Sequence, residues 1–291
     1  MVLMDTALGW LFVSAPFWLI AVSVLVVLGL FYLLGVFVRH KRNIKDSVEN
    51  KDSMALSTVM GLLALLLGFT FSLALERFDA RRALVGDEAL AIRTTYLRAG
   101  TFAEPARSHL RNLIASYADE RVALGSATEE SEQRRLSRLS DGLQHEMWLA
   151  TEAALVGNRD DISSSFMDSM NSVIETDAAR RVARRIHIPS RVLGALLFYM
   201  AITAGMMGYA LGTKRRGEVL LMLGLTTTAY LLIIDIDDAT RGGVTESQAA
   251  MRNLQVFLRT NENPQVWRRK RRKRAWFTEQ GSAPERRIRS V

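Results

Sequence analysis

Residues Gly61–Gly100 read GLLALLLGFTFSLALERFDARRALVGDEALAIRTTYLRAG. From Gly61 to Leu75 the stretch carries no charge, and beyond Leu75 it turns amphipathic without meeting a proline. Phe78, Val85, Ile92 and Ala99 recur every seven residues, with Ala89 and Tyr96 beside them and Arg81, Asp87 and Arg98 assigned to the opposite side. That is the apolar stripe of a helix. The spacing predicts one helix that leaves a bilayer and continues into a soluble domain, with Glu76, Arg77 and Asp79 at the joint.

Working outward, the apolar runs are Ala15 to Val38, Met54 to Leu75, Val192 to Leu211 and Val219 to Ile234. A helix rises about 1.5 Å per residue, so about 20 apolar residues cross a hydrocarbon core roughly 30 Å thick. The first three runs meet that length, and the fourth meets it when its helix starts near Glu218. Trp10 and Trp18 suit an aromatic belt before the first span, and Arg39, Lys41 and Arg42 end it. Gly61, Ala64 and Gly68 put small residues on nearly one face of the second span, which suits close helix contact or equally a helix whose glycines are simply tolerated in lipid.

Between the second and third spans, helix breakers divide the chain into short-linked amphipathic segments. Ala99-Gly100 closes the first, and Pro105 opens the next, whose stripe is Leu110, Leu113, Ile114, Tyr117 and Val122. Glu129 to Leu155 places Leu136, Leu139, Leu143, Met147 and Ala150 at helical spacing. Asp160 or Asp161 then caps a segment carrying Ile162, Phe166, Met170, Val173 and Ile174. Short connections between four such helices predict an antiparallel bundle. The expectation is an all-α membrane protein: four transmembrane helices with an inserted antiparallel four-helix bundle. Its parts are 1–75, a leader and two spans; 76–191, the bundle; 192–237, a transmembrane hairpin; and 238–291, a polar motif and basic tail.

Composition narrows the chemistry. The chain has no cysteine, and its histidines, His40, His109, His145 and His187, show no metal-ligand spacing. Phosphate-binding glycine loops and nucleophile elbows are absent from the sequence. An enzyme is therefore not expected, and neither cofactor nor metal is called for. Arg77 to Arg191 holds seventeen arginines against seventeen Asp plus Glu and no lysine, so the net charge of +8 resides elsewhere. It lies in the Arg39 to Ser53 loop and in the tail Trp267, Arg268, Arg269, Lys270, Arg271, Arg272, Lys273, Arg274, Ala275, Trp276. Basic charge flanked by tryptophan suits anionic lipid, at about 1 kcal/mol per residue near the surface; nucleic acid is not the expected partner.

Short-loop charge places the Arg39 to Ser53 and Gly212 to Glu218 loops in the cytoplasm and the bundle outside. Arginines at both bundle junctions and in the tail argue for the reverse, and both orientations stay open. None of the spans carries an ionisable group near its middle, which argues against proton-coupled transport. A pore lined by small and hydroxyl residues remains, with Gly68, Thr70 and Ser72 as lining and Glu76-Arg77 at its mouth. Asp235 and Asp238 would share a helix face and could hold a cation, or simply end the span in solvated charge.

These pieces resemble a known family. FDARRALVGDEALAIRTTYLRAGTFAEPARSHLRNLIASYADERV (78–122), LQHEMWLATEAA (143–154), MNSVIETDAARRVARRIHIPSRV (170–192) and IDIDDATRGGVTESQAAM (234–251) look like the bacterial bestrophin-like domain family. Glu88, the Tyr96-Leu97-Arg98 step, and Asp235, Asp237, Arg241, Gly242 and Gln248 match its pattern. Ala239 and Ala250 stand where the family often has proline, and Arg93 where it has a smaller residue. The resemblance implies a multi-pass protein of the bacterial inner (plasma) membrane, without an established activity, and by name a likeness to ion channels. Two functions are carried forward: an oligomeric ion-conducting pore, a homo-oligomer in contact with membrane lipid, or a membrane-anchored sensor or scaffold whose bundle binds a protein partner.

Overall fold

The architecture comes from a computed structural model that describes residues 17–42, 49–156, 160–213, 215–238 and 246–262. Among them the regular structure is entirely helical. In chain order the helices are α1 (Phe17–Lys41), α2 (Glu49–Ala99), α3 (Ala106–Ser126), α4 (Glu130–Leu155), α5 (Asp161–Arg185), α6 (Ser190–Leu211), α7 (Arg216–Asp237) and α8 (Ala249–Glu262). Four stretches are long and apolar enough to cross a membrane, supplied by α1, the first part of α2, α6 and α7. The second of them continues unbroken through α2 to Ala99, as the Gly61–Gly100 pattern predicts.

The helices form two compact units. The first comprises the described residues within 17–82 and 181–246, the second those within 83–180 and 247–262. In the first, α1 and α6 lie side by side in the same direction. Arg39 at the end of α1 donates to the carbonyls of Tyr209 and Ala210, and the Tyr32 hydroxyl donates to Gly212, all at the end of α6. A cation there meets the negative pole of α6 and satisfies carbonyls the helix leaves free. Glycine permits the approach: a Cβ on Gly35 would overlap the Gly205 carbonyl, and one on Gly208 the Tyr32 carbonyl.

The small residues of the second span make no such approach within the chain. Gly61 and Gly68 of α2 have nothing within 4 Å of a Cβ built on them, so the tight crossing belongs to α1 and α6. The core of this unit is Leu28 and Val24 of α1, Leu63 and Ala74 of α2, Met200 and Ala204 of α6, and Tyr230 and Ile233 of α7.

The second unit packs the latter part of α2 with α3, α4, α5 and α8. The expected α2 stripe is buried here as Val85, Ala89, Ile92, Tyr96 and Ala99. They meet Leu110, Ile114 and Tyr117 of α3, Met147 of α4, and Phe166, Met170 and Val173 of α5. Asp160 caps α5 by accepting the Ser163 amide at 2.8 Å. Leu139 and Ile162, read as core from their spacing, are exposed. α8 is an addition to the expected bundle: Met251, Leu254 and Leu258 bury its apolar face in the same core. The basic tail lies outside the described residues, as do Arg241 and Gly242.

Candidate functional site: the two faces of the long helix

α2 is one unbroken helix, and within each unit its two faces have different chemistry. On the outward face of the apolar segment lie Gly61, Ala64, Gly68 and Ser72, followed by the exposed Glu76. Thr70 does not join them. Two residues from Gly68 is about 200° around a helix, which turns Thr70 inward, where it is buried and donates to the Leu66 carbonyl at 2.7 Å. The pore lining read from sequence thus separates into Gly68, Ser72 and Glu76 outward, and Thr70 and Arg77 inward.

Arg77 and Arg81 end on a cluster at the C-terminal end of α7. Arg81, assigned to the polar side from sequence, is 1% exposed and donates to the Ile236 carbonyl at 2.7 Å. Its Nε lies 3.7 Å from Glu246, which also holds Arg184 at 3.1 Å. Arg77 lies 3.9 Å from Asp237. Asp237 in turn accepts the Ile188 amide at 2.8 Å, fixing the linker between α5 and α6, and faces His187 at 3.7 Å. The Asp237 carboxylate, first by hydrogen bonding, holds the His187 pKa above its ordinary value. Of the acidic run, Asp237 makes these contacts, while Asp235 and Asp238 are half-buried with partners of their own. Among the described residues no group of three His, Cys, Asp or Glu side chains could hold a metal ion.

In the other unit the inward face of α2 places Glu88 at the centre of a buried charge network. Glu88 is fully buried and accepts Arg121 of α3 at 2.5 and 3.2 Å and Arg180 of α5 at 2.8 Å. Arg121 also holds Asp177 at 2.7 Å. Gln144 of α4 bridges Asp177 and the Tyr117 hydroxyl, both at 2.8 Å. Burial and the neighbouring carboxylates push the Tyr117 pKa far up, so it stays a neutral hydroxyl. Gln248 completes the set: it accepts Arg180 at 3.1 Å and fills the space that a side chain at Gly125 would need. Two carboxylates and two guanidiniums balance, which is how buried charge is tolerated.

The remaining motif residues brace this network. Tyr96 is buried edge-on against Phe257 of α8, with the Arg111 guanidinium 4.8 Å over its ring. Arg98 donates to the Ser165 carbonyl of α5 at 2.5 Å. Sequence reading singled out Glu88 and Gln248 and placed Tyr117 in an apolar stripe, but did not single out Arg121, Asp177, Arg180 or Gln144. The available signal was a carboxylate inside an apolar stripe, which demands a buried cation, in a bundle whose only cationic residue type besides histidine is arginine.

Solved structures share this architecture. A bacterial bestrophin homologue from Klebsiella pneumoniae aligns with a TM-score of 0.60 at 13% identity, covering 81% of this chain and 96% of that one. Two single-residue variants of it give 0.59 and 0.61 at 14% identity, covering 81% and 82% of this chain and 97% and 95% of theirs. The superpositions show a common fold, and at 13–14% identity they show the fold alone. No curated protein matches the chain at a significant level. A family model describing the Bestrophin-like domain matches residues 21–245. The chain, an integral membrane protein by its four spans, belongs to the Bestrophin-like domain family.

Proposed function

We propose that this protein is an oligomeric, non-enzymatic ion-conducting pore of the bacterial inner membrane, with the outward face of α2 turned toward the axis. The observation that carries the reading is the composition of that face. A helix in lipid normally exposes large apolar side chains, yet here Gly61, Gly68 and Ser72 share the outside with Leu65 and Phe69. The tight packing within the chain is made by other glycines, so this face is left for water or for further copies. In the bundle unit α2 likewise leaves Ala83 and Leu90 exposed, with Gly86 half-buried beside them. Gly68, Ser72 and Glu76 line the path in this reading, while Arg77, Asp237 and Arg81 hold the lining helix against α7. The Glu88 network serves as a rigid support, and the Trp267–Trp276 tail binds anionic headgroups.

Purified protein in planar bilayers tests this. Stepwise current is expected once oligomer is incorporated. Silence at high protein density, with the oligomer demonstrated in the same preparation, would sink the proposal.

A further inference from the structure

In the bundle unit the open face of α2 is marked by Leu90 and Leu97, which are 63% and 50% exposed. Its two flanks carry opposite chemistry. On one side α5 runs antiparallel to α2, tied by Thr95 to the Ser169 carbonyl at 2.9 Å and by Arg98 to the Ser165 carbonyl. Between the two helices lies a groove of about 300 Å³, with Asp87 on one wall and Ser172 and Thr176 on the other. Ser172 and Thr176 donate their only hydroxyl protons to carbonyls of their own helix, at 3.0 and 2.7 Å. What they turn toward the groove is oxygen lone pairs. The single cation in the groove, Arg98, is engaged with Ser165. Beside it, α5 exposes Asp161, Asp168 and Glu175 at seven-residue intervals. None of the three has an ion-pair partner among the described residues.

The opposite flank is donor-rich. Arg93 of α2 lies 4.2 Å over the ring of Phe257, which fixes α8 on that side. The outer face of α8 presents Arg252, Val256 and Arg259, all exposed. Asp119 of α3 accepts Gln255 at 2.6 Å and lies 3.7 Å from Arg259, leaving the flank net basic. Arg252 and Arg259 are seven residues apart, about 10 Å along a helix, the same interval that separates Asp161 from Asp168 and Asp168 from Glu175.

We infer that the bundle units of neighbouring copies meet head to tail. The Arg252–Val256–Arg259 face of one copy seats on the α2–α5 groove and acidic stripe of the next. The inference rests on the oligomeric reading above and adds which surfaces meet. A contact between two different patches of one chain closes into a ring when the rotation permits, as a pore requires. Exposed ion pairs contribute little each. Here they set partner choice and register, while burial of Leu90 and Val256 supplies the apolar area.

The chain has no cysteine, so introduced thiols are the only ones present. The full-length Ser172→Cys/Val256→Cys variant, treated with a short bifunctional maleimide in detergent, should give a covalent ladder extending beyond the dimer. Each single variant should give monomers alone. In parallel, Arg252→Glu/Arg259→Glu should elute as a smaller species, and adding Asp168→Arg/Glu175→Arg should restore the parental size. These positions are exposed, and retained helicity checks that each variant folds. Dimers from Val256→Cys alone would overturn the head-to-tail arrangement. An oligomer that forms no ladder would overturn this interface while leaving oligomerisation intact, whereas a parental chain that is monomeric throughout would overturn both.

Discussion

Replacing Glu88 by glutamine keeps the shape of the side chain and removes one charge from a site with no solvent. The consequence is set by what the two arginines have left. Arg121 keeps Asp177 at 2.7 Å. Arg180 keeps the Gln248 amide oxygen at 3.1 Å, and with Glu88 neutral the two guanidiniums of the network face one carboxylate, Asp177, so the buried site carries one excess cation. Removing one partner of a buried ion pair costs about 3–5 kcal/mol, against a total of about 5–15 kcal/mol for a typical domain. At about 2–4 °C per kcal/mol for units of this size, the melting temperature should fall on the order of 10 °C. Melting of the full chain in detergent, followed by near-ultraviolet circular dichroism, reads this directly. A second variant guards the interpretation. Glu88→Gln/Arg180→Met removes both charges and should recover most of the loss, because a balanced pair adds little over apolar packing. A single substitution costing less than about 1 kcal/mol, or a double variant whose loss equals the sum of the single losses, would refute the network as described.

Three further outcomes follow from the other contacts. Gly208→Ala should destabilise the first unit by about 1–3 kcal/mol, because the new methyl overlaps the Tyr32 carbonyl; Gly68→Ala, with open space around it, should leave melting unchanged. His187 has a raised pKa in the folded chain, so its stabilising contact with Asp237 is fully present below about pH 6.5 and is lost as pH rises through the raised value. Stability measured from about pH 5 to about pH 8 should show that decline, and His187→Gln should flatten it. Since α1 and α6 end together, cysteines placed at Arg42 and Thr213 should label from the same side of the membrane; opposite labelling would contradict the parallel arrangement.

The spans were legible because lipid imposes a length requirement that composition alone can meet. α2 was legible because its seven-residue stripe crosses the membrane boundary without a break. α8 escaped sequence reading: its stripe of Met251, Leu254 and Leu258 is only three positions long and follows a polar motif with no strong cap. Gly61 and Gly68 left two readings open because glycine spacing marks where a backbone can approach, not whether a helix approaches it. Arg81 was placed on the solvent side because charge ordinarily is. Its burial depends on Glu246 and the Ile236 carbonyl, which come from 155 or more positions along the chain. The partners of Glu88 were hidden for the same reason. The register of α3 and α5 against α2 selects Arg121 and Arg180 from seventeen arginines, and register is a tertiary property.

The most direct test of the pore reading is thiol accessibility on α2 during conduction. Ser72→Cys and Thr70→Cys lie two residues apart on the same helix, about 200° round it and so on opposite faces. If the outward face lines the path, a small charged thiol reagent should block current through the Ser72→Cys protein within a single application and leave the Thr70→Cys protein unaffected. Equal block of both, or block of Thr70→Cys alone, would contradict the account.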